Sequence, residues 1–156
     1  MTPTLRRWFA SAGALRRMLT LYPPNLGAGI KVTHLAEDFS TATVQMRLRW
    51  WNRNYVGTHY GGSLYSMVDP MYMLMLVRRL GHEYVVWDKS AHIDFVRPGR
   101  GTVSAHFELT DERLEEVRQA TADGSKYLPT WDVDVVDDNG ELVARVHKVL
   151  YVRKKR

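Results

Sequence analysis

Residues 54–81 read NYVGTHYGGSLYSMVDPMYMLMLVRRLG, and this stretch decides the fold. It opens as a polar, glycine-rich loop and continues as a segment whose apolar residues face every side of a helical wheel. A helix that is apolar all round is predicted to be buried rather than to lie on a surface. Gly61 and Gly62 open this helix, and Gly81 follows its last basic turn as a helix-ending glycine does. We therefore expect a long central helix enclosed by the rest of the chain.

One carboxylate, Asp69, interrupts the apolar segment. Because an aspartate is almost never fully buried without compensation, two interpretations compete. Asp69 is either a catalytic carboxylate that faces a pocket or a structural acid held by hydroxyls, backbone donors or an ion network. Pro70 follows directly and removes a backbone donor, so it predicts a kink or a break beside the acid.

The remaining sequence reads mostly as strands. Alternating or β-branched patterns predict strands at 30–32, 41–50, 84–96, 101–109, 131–136 and 141–152, a short helix at 111–122, and a hairpin turn at 137–140 in which Asn139 and Gly140 supply positive φ. A chain of 156 residues suits one domain. One long helix followed by an antiparallel run predicts an α+β domain in which the sheet wraps around the helix.

Composition excludes several classes of function. The chain has no cysteine, so disulfides, a thiol nucleophile and cysteine zinc sites are ruled out, and a cytoplasmic location is expected. The net charge of +5 belongs to the two ends of the chain, which hold eight of its 22 basic residues and leave 14 against 17 acidic residues in the body. We therefore expect no nucleic-acid partner. The histidines lack metal-ligand spacing, and no apolar run is long enough to span a membrane.

The two ends of the chain are basic and differ from the main domain. Residues 1–24 predict an amphipathic helix, with Thr4 as its N-cap, that ends in a proline turn. This helix could dock on the domain, lie on an anionic membrane or be a cleaved leader. Docking is favoured, and a leader is disfavoured because Arg16 and Arg17 split the apolar run that a secretory signal needs. Residues 25–152 form the main domain, and residues 153–156 are interpreted as a basic, solvated tail.

Asn54, the Gly61-Gly62 pair and Asp69 stand at intervals that resemble those of the hot-dog-fold acyl-CoA thioesterases, particularly the type that acts on phenylacetyl-CoA and related thioesters. The stretch SAHIDFVRPGRGTVSA, residues 90–105, is similar to the strand-turn-strand that follows in that family. The closest overall likeness is to an uncharacterised bacterial branch, and it covers most of the chain. Two positions depart from the family pattern: Tyr60 stands where a histidine usually precedes the glycines, and His59 comes one place earlier.

The resemblance implies a hot-dog fold and hydrolysis of an acyl or aryl thioester. The amides of Gly61 and Gly62 would stabilise the oxyanion, and the Tyr60 hydroxyl could donate a further hydrogen bond. Asp69 would act as a general base or a nucleophile, and Asn54 would orient the water or the carboxylate. The family's second polar residue falls near Asp88 or Ser90. It also implies a homodimer in which Asn54 and the glycines face the partner's Asp69; association of two dimers into a tetramer is left open.

The expected ligand is an acyl-CoA or an acyl-carrier thioester. Coenzyme A would be part of the substrate, and no other cofactor is expected. Arg97 and Arg100 are candidates to contact its phosphates. The methionines of the central helix would suit an acyl tunnel, although most are expected to fill the core.

Two rival functions remain open. The first is a hot-dog module that binds acyl ligands without hydrolysing them, which Tyr60 and Pro70 favour. The second is a hydratase or dehydratase of the same fold, in which His59 and Asp69 would form the acid–base pair. Release of thiol from acyl thioesters, or a change in the absorbance of an enoyl substrate, separates these functions.

Overall fold

The computed structural model describes residues 11–155. The helices are α1 (Ala12–Leu21), α2 (Pro23–Ala28), α3 (Gly61–Ser66), α4 (Met71–Leu80) and α5 (Asp111–Ala120). The strands are β1 (Ile30–Leu35), β2 (Thr41–Arg47), β3 (Tyr84–Phe95), β4 (Thr102–Glu108), β5 (Lys126–Tyr127), β6 (Thr130–Asp137) and β7 (Leu142–Lys154). Each strand predicted from the sequence is present, whereas α2 was missed because its two prolines and glycine indicate a turn.

All seven strands belong to one antiparallel sheet. Its order is β1-β2-β4-β6-β7-β3, and the short strand β5 pairs with β7 outside this path. The longest pairing joins β3 and β7, with one register shift between Asp88 and Ser90. Strand β3 pairs with β7 alone, so its other edge is left open within the described chain. The predicted α+β architecture is confirmed.

The central helix is broken where Pro70 predicts it. Helix α3 ends at Ser66, and Pro70 stands at the N-cap of α4. The amide of Asp69 still donates to the carbonyl of Tyr65 at 3.0 Å, while the amide of Leu74 donates to Pro70 at 3.0 Å. Residues 67–70 therefore form a turn between two helices, and Asp69 lies in that turn.

The core lies between α4 and the inner face of the sheet. Three of the methionines, Met67, Met71 and Met75, are buried there together with the inward residues of β2, β4, β6 and β7. The expectation of a helix buried on every side is wrong for the single chain, because Val77 is 38% exposed and Leu74 only partly buried. The sheet of one chain covers one side of α4.

Helix α1 docks on the sheet through Ala12, Leu15 and Leu19, which are buried in the main core. Ser11 caps the helix by accepting a hydrogen bond from the amide of Ala14 at 3.2 Å. The predicted N-cap Thr4 lies outside the described residues. No helix among residues 11–155 is long and apolar enough to cross a membrane.

The backbone at the basic end of the chain continues the sheet as far as it is described. Strand β7 extends through Lys154, and Arg153 pairs with both Val85 and Lys126. The amide of Lys155 donates to the carbonyl of Glu83 at 2.8 Å. The side chains of Arg153 and Lys155 are nevertheless exposed, so these residues stay in contact with solvent while their backbone is paired. In the β6–β7 turn Gly140 has a φ of 78°, whereas Asn139 does not adopt the positive φ expected of it.

Candidate active site

Asp69 is bound to a buried lysine. The Nζ of Lys148 lies 3.3 Å from Asp69 Oδ1 and donates to the Asp69 main-chain carbonyl at 2.7 Å. The same ammonium forms an ion pair with Asp88 at 2.6 Å. The Lys148 side chain is fully buried, Asp88 is 19% exposed and Asp69 is 45% exposed. The charge of Asp69 is therefore compensated by an ion network, and its carboxylate remains open to one side.

Tyr65 fixes the same carboxylate oxygen. Its hydroxyl donates to Asp69 Oδ1 at 2.6 Å, from one helical turn earlier. The ammonium of Lys148 also lies 5.6 Å from the centre of the Tyr65 ring. Asp69 Oδ2 has no hydrogen-bond partner within residues 11–155. One oxygen of Asp69 is thus held, and the other is available to a ligand.

Burial and charge set the proton equilibria around Asp69. Burial raises the pKa of Tyr65, and its hydrogen bond to Asp69 raises it further, so the hydroxyl stays a donor. Burial also raises the pKa of Asp88, although the ammonium of Lys148 works in the opposite direction. The carboxylates of Asp69 and Asp88 therefore share the ammonium of Lys148 in a partly buried environment.

Lys148 is the residue that the sequence interpretation missed. It lies on β7 among the inward residues Val146 and Leu150, where the alternating pattern places apolar side chains. A lysine at an inward position indicates a buried anion, because an isolated buried ammonium costs several kcal/mol. The inward position of Lys148, together with the lone acid Asp69 in the central helix, was the sequence signal that could have predicted this ion pair.

The glycine pair opens α3 as predicted. The amides of Ser63 and Leu64 both donate to the carbonyl of Tyr60. The amides of Gly61 and Gly62 have no backbone acceptor within residues 11–155, as is usual for the first amides of a helix.

Two aromatic rings lie over these glycines. A side chain at position 61 would meet Phe95 Cζ at 2.9 Å, and one at position 62 would meet Tyr60 Cε1 at 2.5 Å. Both rings are largely exposed, at 58% for Phe95 and 60% for Tyr60. Glycine is needed at both positions for the rings to lie where they do.

A cavity of about 370 Å³ adjoins the start of α3. Its walls come from the loop before the helix, from the helix itself and from the segment that follows β3: Asn54, Thr58, His59, Gly61, Leu64, Phe95, Val96, Arg97, Pro98 and Gly99. Asp69 does not line it. Within the single chain, Gly61 and the carboxylate of Asp69 therefore do not line the same cavity.

Asn54 is committed to its own loop. Its Nδ2 donates to Thr58 Oγ1 at 2.9 Å and to the carbonyl of His59 at 3.2 Å. Its Oδ1 accepts from the amides of Val56 and Thr58. The predicted role of Asn54 in orienting water or the carboxylate is thus corrected to a structural one, because both donors and the oxygen are already used.

His59 is buried and turned away from Asp69. Its amide donates to the carbonyl of Gly99 at 3.1 Å, and its Nε2 contacts the carbonyl of Gly101 at 3.2 Å. Burial lowers the pKa of His59, although the contact with Gly101 opposes this. Nδ1 is buried and has no partner within residues 11–155. The structure does not join His59 and Asp69 into the acid–base pair that a hydratase would need.

Of the three remaining residues that were predicted to contact a ligand, two are exposed to solvent and one is paired within the chain. Arg97 donates to the carbonyl of Leu142 at 3.0 Å and to Asp137 at 2.7 Å, and forms an ion pair with Glu141 at 3.0 Å. Its guanidinium therefore holds the β6–β7 turn, and the predicted contact with coenzyme A phosphates is corrected. Arg100 and Ser90 are exposed. Among the described residues no cluster of His, Asp or Glu side chains could hold a metal ion.

The comparisons with known proteins place these residues in a family. Residues 11–152 match the model of a domain of unknown function, DUF4442. The chain belongs to this family. No curated protein matches it.

Solved structures show which fold the DUF4442 domain has. PA5026 of Pseudomonas aeruginosa, a protein of unknown function described as a probable thioesterase, is 20% identical with a TM-score of 0.78 and covers 91% of this chain and 95% of its own. The PaaI protein of the Escherichia coli phenylacetic acid degradation operon is 18% identical with a TM-score of 0.63, covering 97% and 95%. The thioesterase HI1161 of Haemophilus influenzae is 15% identical with a TM-score of 0.66, covering 92% and 91%.

These likenesses confirm the predicted hot-dog fold, in which an antiparallel sheet wraps around the central helix. At such identities they establish the fold and no more.

Proposed function

We propose that this DUF4442 protein is a thioester hydrolase that acts on acyl or aryl thioesters. The observation that carries the proposal is Asp69: a half-exposed carboxylate in the break of the central helix, with Oδ1 held by Tyr65 and Lys148 and Oδ2 without a partner in residues 11–155. A carboxylate fixed in this way can activate water without moving.

The proposed reaction adds water across the thioester carbonyl. Asp69 accepts a proton from water as the new carbon–oxygen bond forms, or attacks the carbonyl carbon itself to give an anhydride that water then opens. The amides of Gly61 and Gly62 donate to the oxyanion. On the water route the adduct collapses with cleavage of the carbon–sulfur bond, and the thiolate takes the proton that Asp69 had accepted. On the anhydride route the carbon–sulfur bond breaks as the anhydride forms, and the thiolate takes a proton from the water that opens it. Either route releases a carboxylic acid and a thiol.

Lys148 and Tyr65 are positioning residues in this scheme. The ammonium neutralises Asp88 and supports the charge of Asp69, and the Tyr65 hydroxyl fixes the rotamer of the carboxylate. Neither group needs to touch the thioester.

The two halves of the site are proposed to meet across a homodimer. The cavity beside Gly61 does not include Asp69, so one chain does not bring both halves together. Strand β3 has an open edge, and Phe95 and Val77 are exposed beside the central helix. A second copy paired at β3 would cover these side chains and bring its own Asp69 toward the glycines.

The decisive assay measures the thiol released from a panel of acyl- and aryl-CoA thioesters. Asp69→Asn is expected to abolish release and to leave the fold intact, because the new amide oxygen can still accept from Tyr65 and Lys148. Asp134→Asn is the matched control, since Asp134 is 42% exposed and also paired with a cation, Arg145. Unchanged turnover in Asp69→Asn would exclude the assignment.

Sharing of the site is tested by mixing two inactive variants. Gly61→Val blocks the oxyanion donors, and Asp69→Asn removes the carboxylate. If each site takes the glycines from one chain and Asp69 from its partner, co-expression restores about a quarter of the wild-type activity, because half of the dimers carry one intact site. No recovery in a mixed dimer would place both halves in one chain.

A second candidate function is binding of an acyl ligand without hydrolysis. The position of the Phe95 and Tyr60 rings against the two glycines favours it, since the rings place apolar surface beside the start of α3. Saturable binding of acyl-CoA with no release of thiol, from wild type and Asp69→Asn alike, would identify this function.

A further inference from the structure

A second depression lies on the outer face of the sheet, away from the central helix. It has a volume of about 360 Å³ and is formed by the ends of β1, β2 and β4 with the loop after β2: Gly29, Lys31, Gln45, Arg47, Arg49, Trp51 and Thr102. The strand residues in it alternate with the buried residues of the core. They therefore belong to the polar face of the sheet.

The depression is strongly basic. Lys31, Arg47 and Arg49 line it, and no acidic side chain among the described residues does. The basic surface continues into an adjoining cavity of about 360 Å³ that shares Lys31 and adds Arg16 and Arg17. The nearest turn contributes Asp138, whose carboxylate accepts from the amide of Thr102 at 3.1 Å. Cations that have no anionic partner create a positive field that attracts phosphates.

The walls of the depression are fixed by a buried amide. Asn52 donates from Nδ2 to the carbonyls of Ala28 at 2.8 Å and Arg47 at 2.9 Å, and its Oδ1 accepts from the amide of Arg49 at 2.6 Å. Gly29 leaves the space beside Arg47 open, because any side chain there would meet Asn52 Nδ2 at 2.8 Å. The arginines therefore extend from a preorganised backbone.

An aromatic plane completes this surface. Trp51 is 50% exposed, and the guanidinium of Arg49 lies 5.8 Å from its ring centre. A second indole, Trp50, packs edge-on against it at 5.6 Å. Inorganic anions would use only the cations, whereas a nucleotide would use both, with its base on the indole and its phosphates on the arginines.

The depression and the candidate active site are linked through one carbonyl. The Gly101 oxygen accepts from the amide of Leu48, at 2.7 Å, and contacts His59 Nε2 at 3.2 Å. Leu48 lies between Arg47 and Arg49, and His59 lines the cavity beside Gly61. Both cavities therefore lie at the same end of the sheet.

We propose that this depression binds the phosphorylated adenosine end of coenzyme A. The inference rests on the proposed thioester hydrolysis for the identity of the nucleotide. It deepens that function by selecting the substrate class, because a carrier-protein thioester presents the same phosphopantetheine arm without a nucleotide. Arg47 and Arg49 bind the phosphates, and Trp51 stacks on the adenine.

Calorimetric titration with adenosine 3′,5′-bisphosphate tests the site without any turnover. The wild type is expected to bind it, and Arg47→Ala/Arg49→Ala is expected to weaken binding by about tenfold or more, because two charge-assisted contacts are lost. Trp51→Ala should weaken binding of the bisphosphate but not of inorganic phosphate. The matched control is Arg118→Ala, which removes an exposed arginine from α5.

Several outcomes would overturn the proposal. The proposal is wrong if the bisphosphate does not bind, or if inorganic phosphate binds as tightly as the bisphosphate. It is also wrong if Arg118→Ala weakens bisphosphate binding as much as Arg47→Ala/Arg49→Ala does, or if phosphopantetheine binds as tightly as coenzyme A. Tighter binding of a single-stranded oligonucleotide than of the bisphosphate would assign the surface to nucleic acid instead.

Kinetics separate failure of this proposal from failure of hydrolysis. Arg47→Ala/Arg49→Ala should raise KM for an acyl-CoA and leave kcat/KM for the matching acyl-pantetheine unchanged. An unchanged KM for acyl-CoA would reject the nucleotide site while hydrolysis stands. Bisphosphate binding that depends on Arg47 and Arg49, in a protein that hydrolyses no thioester, would reject hydrolysis while the site stands.

Discussion

The ammonium of Lys148 lies 2.7 Å from the main-chain carbonyl of Asp69 and 3.3 Å from its carboxylate, across 79 residues of sequence. The carbonyl is available because Pro70 separates the two central helices, and the lysine is available because β7 points it inward. The break in the helix and the buried lysine therefore depend on each other. The break leaves the Asp69 carbonyl without a helical donor, and the buried ammonium of Lys148 donates to it.

Replacing Lys148 by methionine should destabilise the protein by about 3 kcal/mol, because breaking a buried ion pair leaves Asp88 without a counter-charge. The measurement is the free energy of unfolding from urea denaturation. Adding Asp88→Asn to Lys148→Met should recover part of the loss, since the amide is neutral. A Lys148→Met protein as stable as the wild type would show that the network contributes nothing.

Replacing Tyr65 by phenylalanine should lower kcat about tenfold with KM nearly unchanged, because one hydrogen bond to a charged group is lost and the carboxylate is held less firmly. The steady-state rates of thiol release measure both constants. Tyr72→Phe removes a hydroxyl from the same central helical segment, where it contacts Arg113 at 3.1 Å, and should leave kcat unchanged. Equal losses in the two variants would point to a general effect on packing.

Much of the fold could be predicted because its signals are local. Strand alternation, the apolar central segment and the proline beside Asp69 each act within a few residues, and they placed every strand except the two-residue β5, together with the break in the helix. The prediction that was wrong concerns the surroundings of the central helix. A helical wheel that is apolar all round predicts burial on every side, yet within one chain Val77 is exposed. An apolar helix face indicates that the face will be buried, but it does not indicate whether its own chain or a second chain buries it.

The site could be predicted only in part, because partners distant in sequence leave little trace. Asp69 stands out as the one carboxylate of an apolar segment, whereas its counter-charge Lys148 lies 79 residues away in a strand that also carries other basic residues. Arg97 was assigned to a ligand because its carboxylate partner Asp137 is 40 residues away. Asn54 differs, since its partners lie within five residues and an asparagine-stabilised loop was a readable alternative.

Gly29→Ala should cost about 2 kcal/mol, because φ there is 77° and the added carbon would lie 2.8 Å from the buried amide of Asn52. Gly27→Ala is the matched control. Nothing lies within 4 Å of an added carbon there, and Gly27 is in α2, so the change should stabilise by about 0.5 kcal/mol. Thermal and urea denaturation give both values, and a Gly29→Ala protein as stable as Gly27→Ala would contradict the packing around Asn52.

His59 should make the protein less stable as pH falls. Burial lowers its pKa in the folded state below the usual value of about 6.5. The unfolded chain therefore binds the proton more readily, so the free energy of unfolding falls as pH drops below about 6.5 and levels off below the folded pKa. His59→Gln should remove this component, measured as the difference in unfolding free energy from the wild type between pH 7.5 and pH 5.

His147 supplies an internal control of opposite sign. Hydrogen bonds from its ring to the carboxylates of Asp132 and Asp94 raise the pKa of His147, so its contribution to stability is fully present below about pH 6.5 and is lost as pH rises through the folded pKa. Relative to wild type, His147→Gln should therefore be most destabilised at pH 5 and His59→Gln at pH 7.5. Two difference curves with the same slope would show that these histidines do not titrate in the environments that their contacts indicate.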